Sequence, residues 1–175
     1  MTNQSFDEFV SQQSEVSEEV EIDWAANLRD WKKHLSSFYE KVECFLGPYI
    51  KSKKIILSKK IVGLHEVYIG DYEVDALDIL LGGTEVALAP IGTNLIGAKG
   101  RVDMKGPVGI VKFVLVPKGS SGPRRRIQVE EAPTKEEATP ATDWEWKIST
   151  PPPRISYIEL EEESFQAALM EVING

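Results

Sequence analysis

Asp103-Met104-Lys105 has the spacing of one half of a metal-dependent phosphodiesterase site. In such a site carboxylates hold Mg²⁺ and a lysine positions the attacking water. The other half is an acidic residue on a neighbouring strand, and Asp75 or Asp78 could supply it. Three features weigh against a nuclease. Asp-x-Lys arises readily by chance, Lys105 directly precedes a Gly106-Pro107 turn, and residues 84–89 are expected to form a strand between the two halves. Charges on the solvent side of an antiparallel sheet explain the same residues without catalysis.

The other reactive side chains are few. Gly92, Gly97, Lys99 and Gly100 have the residue types of a phosphate cradle. A P-loop, however, needs Gly-Lys-Ser/Thr after four residues and a helix behind it. Here Ala98 intervenes and a strand follows, so the glycines are assigned to turns. His34 follows Asp30 by four residues, as in a surface helix pair. His65 falls at a turn. Cys44 is the one cysteine, which excludes an intrachain disulfide and a cysteine-built zinc site. Beside an apolar seam it is expected to act as a small inert hydrophobe. No metal set and no cofactor is expected.

Basic side chains form two groups. Lys51, Lys53, Lys54, Lys59 and Lys60 surround the first strand, and Arg124, Arg125 and Arg126 lie further on. With Trp144 and Trp146 as stacking platform they would make a nucleic-acid face. Lysines also blunt sheet edges, and the two tryptophans share a strand face with Ile148, which suits burial. The favoured function is therefore a non-catalytic protein-interaction module, an accessory, chaperone-like or immunity-type partner of another protein. Nucleic-acid binding through the two basic groups ranks second and the nuclease third. The partner-binding candidates are Phe6, Phe9, Trp24, Arg124, Arg125 and Arg126. Homo-oligomerisation stays open.

Charge divides the chain. The net −8 arises mainly in residues 1–23, which carry seven carboxylates and no Lys or Arg. Residues 1–22 are expected to be an acidic disordered tail, because such a composition buries too little surface to offset ordering entropy. Residues 23–175 are expected to be one α+β domain with a mobile low-complexity insertion at 119–142. The N-terminus lacks the basic-then-apolar order of a signal peptide, and no run of about 18 apolar residues occurs. The expected setting is cytoplasmic, away from membranes.

The positioning elements follow from periodicity. Trp24, Leu28, Trp31, Leu35, Phe38, Val42, Phe45 and Tyr49 recur at spacings of four and three. That predicts a long amphipathic helix with Asp23 as N-cap and a stop or kink at Gly47-Pro48. Its aromatic seam suits packing across a sheet better than a coiled coil. Its length suggests an overhanging N-terminal end that presents Trp24. Strands follow, with a break at Gly63, hairpin turns at Gly70-Asp71 and Gly82-Gly83, and a bulge where alternation flips between Ala76 and Leu77. Trp144, Trp146 and Ile148 alternate outward with Glu145 and Lys147 as a further strand. Residues 155–160 form another strand, and a short helix with Glu161, Glu162 and Glu163 in its first turn closes the chain. The expected fold is a long N-terminal helix and a short C-terminal helix on one face of an antiparallel meander of about six to eight strands.

Overall fold

The computed structural model describes residues 23–93, 95, 97–123 and 143–175. The tail expected over residues 1–22, with Phe6 and Phe9, lies outside the described residues, as do Arg124, Arg125 and Arg126. Helix α1, Trp24–Lys51, starts at Asp23, whose carboxylate accepts the Ala26 N–H at 2.9 Å. The cap is the one the sequence predicts. The helix does not end at Gly47-Pro48, where a stop or kink was expected, but continues to Lys51. Pro48 removes one backbone donor in the last turn, but buried Leu46 and half-buried Ile50 hold the turns on either side against the core. The chain leaves α1 three residues later, through Lys53 at φ 60°.

Seven antiparallel strands pair in chain order. They are β1 Ile55–Glu66, β2 Gly70–Leu81, β3 Thr84–Gly92, β4 Gly100–Lys105, β5 Ile110–Pro117, β6 Trp144–Ser149 and β7 Tyr157–Glu159. Helix α2, Glu162–Asn174, completes the fold. Both helices lie on one face. The ring of Phe113 on β5 meets Phe38 of α1 at 5.2 Å and Phe165 of α2 at 5.8 Å. The fold is thus the α+β meander anticipated from the patterning. The Gly82-Gly83 hairpin is also as predicted, with both residues at positive φ, which glycine alone adopts freely.

The first hairpin differs from expectation. β1 runs unbroken through Gly63, and its turn is Val67, Tyr68 and Ile69, with Gly70 already opposite Glu66. Burial does change sides between Ala76 and Leu77, yet β1 and β2 pair there without a register shift. No bulge is involved. β2 pairs with β3 only from Leu77 onward, so residues before it belong to a two-stranded ribbon, the form of sheet that twists most. The ribbon turns over beyond the sheet, bringing Tyr72 and Val74 into the same core as Leu77 and Ile79.

That twist accounts for the length of α1. The helix spans about 42 Å at 1.5 Å per residue, and a 12-residue strand about 40 Å. The expected overhang is therefore not seen: Trp24 is half-buried, stacked on Tyr68 of the turn. In the middle of the helix, Trp31 fits because Gly100 has no side chain. A Cβ on Gly100 would stand 2.1 Å from the Trp31 ring. Residues 119–121, at the start of the expected insertion, are tied down. The Gly119 N–H donates to Glu145 at 2.8 Å, and the Ser121 carbonyl accepts from Tyr157 N–H at 3.0 Å.

Candidate functional site

The hairpin's far end is locked from inside and bare outside. Glu66, at the end of β1, is buried and accepts hydrogen bonds from the Tyr72 hydroxyl, the Thr93 N–H at 3.0 Å and the Thr93 hydroxyl at 2.9 Å. Thr93 directly follows β3, so this carboxylate fastens the ribbon to the sheet it has left. Burial, then the bond to Glu66, pushes the Tyr72 phenol well above its ordinary value and keeps it a donor. On the outside of the same turn, Val67 is 79% and Tyr68 64% exposed. The Tyr68 ring stacks on Trp24 with centroids 5.1 Å apart and planes 6° from parallel. His65 and Asp71 flank the turn, Nδ1 to Oδ1 at 2.6 Å.

A polar cleft of about 700 Å³ lies elsewhere along α1, lined by Asp30, His34, Lys99, Lys118, Asp143 and Glu145. Its charges largely satisfy each other. Lys99 pairs with Asp30, which holds that carboxyl below its usual range, and sits 5.1 Å from the centre of the Trp144 ring. His34 is 3.6 Å from Asp30, too far for a hydrogen bond, and burial pushes its imidazole below the ordinary value. The i,i+4 spacing is as foreseen, but His34 lines the cleft rather than the open surface. Lys147, assigned to solvent from the alternation, is buried between Glu145 at 3.1 Å and Glu159 at 2.6 Å. Cys44 points the other way from expectation and is exposed.

The nuclease residues are placed but do not converge. The register sets Asp78, Ala87 and Lys105 in one row across β2, β3 and β4, with Asp103 opposite Ala89. β3 thus stands between the carboxylates, and two strand spacings amount to about 10 Å. Asp103 is buried and clamped by Arg101 through two bonds of 2.6 and 2.7 Å. One oxygen of Asp78 takes Lys60 at 2.7 Å, and the other is buried without a partner. Asp75 lies on the ribbon beyond the point where β2 leaves β3. No group of three or more His, Cys, Asp or Glu that could hold a metal occurs among the described residues.

The nucleic-acid candidates are also divided. Trp146 is buried against Phe38 and Trp31, its indole N–H donating to the His34 carbonyl at 3.0 Å. It is not a free stacking platform. Lys59 pairs with Glu43 at 3.3 Å, whereas Lys51, Lys53 and Lys54 are exposed around the end of α1. No helix among the described residues is long and apolar enough to cross a membrane. Comparison with protein-family models, with curated proteins and with solved structures finds no match to this chain.

Trp24 was flagged in the sequence; Val67, Tyr68 and Glu66 were not. A signal was present, since Val67-Tyr68-Ile69 puts three large apolar residues in what proves to be a turn, a place usually taken by Gly, Asn, Asp or Ser.

Proposed function

We propose that this protein is a non-catalytic protein-interaction module whose anchor is the β1–β2 turn. The observation behind the proposal is exposed Val67 and Tyr68, the latter stacked on half-buried Trp24, on a ribbon fastened from within by Glu66. Turns normally carry small polar residues. Large apolar groups held rigidly in solvent lose little freedom on binding, and aromatic anchors of this kind supply much of the affinity in protein interfaces.

Photo-cross-linking in cells tests this. A photoreactive residue in place of Val67 should yield discrete adducts with another protein, while the same residue in place of exposed Glu163 on α2 should not. Adding Tyr68→Ser should remove the adducts and lower the melting temperature by no more than about 4 °C. Adducts that are absent at Val67, or equal at both positions, would refute the anchor.

A further inference from the structure

The two edges of the sheet are unlike. β7 is three residues long, whereas β1 is twelve, contains no proline and has no strand on its outer side among the described residues. A long bare edge is a template for another strand, and proteins usually shorten it, cover it or place lysines on it against indiscriminate pairing. Here the edge is long, and apart from Ser58 and His65 its exposed side chains are of two kinds. Ile56 is 56% and Ile61 69% exposed, and strand alternation puts them on opposite faces. Lys59 and Lys60 likewise stand on opposite faces at the middle of the strand. Their partners show which face is which: Lys59 reaches Glu43 on α1, and Lys60 reaches Asp78 on β2. The Lys59 and Lys60 side chains are 56% and 50% exposed, although Asp78 is only 16% exposed, so an incoming carboxylate can reach both ammonium groups. Lys53 and Lys54 extend the positive row just before β1, and neither has a carboxylate within ion-pair distance among the described residues.

A second copy of this chain fits the edge poorly. Antiparallel addition about a two-fold axis near the centre of β1 gathers Lys59 and Lys60 of both chains at the axis, and like charges opposite one another destabilise strand pairs. The complementary occupant carries carboxylates at the middle and β-branched apolar residues beside them. We infer that the free edge of β1 adds an extended, acidic segment of another protein as an eighth strand. The inference rests on the interaction-module proposal and supplies the chemistry of the partner. Backbone hydrogen bonds would give the affinity and the lysines the charge preference, as in other strand-addition complexes.

The probe is a capped peptide of about ten residues in which pairs of glutamates alternate with pairs of valines, so that each face carries both. Amide hydrogen exchange followed by NMR on the full chain should show slowed exchange along β1 and none at β7. A peptide with lysine for glutamate should bind at least about tenfold more weakly, as should the acidic peptide against a Lys59→Gln, Lys60→Gln variant. N-methylation of alternate peptide amides leaves the protein untouched and should abolish binding. Equal binding of acidic and basic peptides, indifference to N-methylation, or protection away from β1 would each overturn the assignment. The Val67 adducts are read separately. If they persist while the acidic peptide fails, only the edge assignment falls.

Discussion

Phe38 and Trp24 belong to one seam on one helix, fourteen residues apart, and meet opposite surroundings. Phe38 is fully buried, facing Phe113 at 5.2 Å and Trp146 at 4.8 Å across the strands of the sheet. Trp24 faces a single turn, and the ring stacked on it is itself mostly in water. An apolar seam therefore marks which side of a helix is covered, not how well. At the middle the cover is β5 and β6; at the end it is a ribbon that has left the sheet. The first arrangement stabilises the fold, and the second leaves aromatic surface in water.

The sharpest way to break this contrast is at its buried end. Phe38→Ala removes a ring packed on three other aromatic residues. Truncations of this kind cost about 3–5 kcal/mol, a large share of the stability of a domain. Denaturant melts should show that loss, and a cost below about 1 kcal/mol would mean the seam's centre is no better covered than its end.

A smaller effect is expected at the fastening between the two regions. Glu66→Gln turns one accepting oxygen into a donor facing the donors of Thr93 and Tyr72. A buried donor left unmatched costs about 1–3 kcal/mol. The loss should be uneven. Amide exchange should quicken in residues 60–76 of the ribbon and stay slow at β5 and β6. Uniform quickening would show that ribbon and sheet unfold as one unit.

The sequence and the structure agree where the signal is local. The helix seam, the Asp23 cap and the Gly82-Gly83 hairpin depend on residues within a few positions of each other. The flip of alternation at Ala76 was visible too, but its cause was not, because whether a strand bulges or a ribbon turns over depends on where β3 stops pairing with β2. Pro48 does not end α1: proline disfavours helix locally, and the burial that overrides it comes from distant residues. The site was legible only in part. Trp24 could be named, while Glu66 resembles an ordinary turn glutamate until Thr93, 27 residues on, is seen to bond to it. Asp78 and Asp103 matched a chemical pattern by type, and β3 separates them.

The smallest stability effect belongs to the exposed end, and it discriminates most between fold and function. Trp24→Ala removes half of a stacked pair whose other ring is 64% exposed. Aromatic pairs contribute about 0.5–1.5 kcal/mol beyond area burial, and at this partly solvated site the loss should lie at or below about 1 kcal/mol. The melting temperature should barely move. Tyr68, no longer held flat against the indole, should gain rotamer freedom, and NMR relaxation of its ring should report it. Adducts from position 67 should weaken strongly, because an anchor that must be ordered on binding loses affinity even when its own contacts survive. The comparison with Phe38 then stands as two opposite pairs of outcomes: stability lost at the centre, and binding lost at the end with stability kept. If Trp24→Ala destabilises the protein as severely as Phe38→Ala, the turn covers the helix end as completely as the sheet covers its middle. The stack would then be core, and the turn could not serve as an anchor.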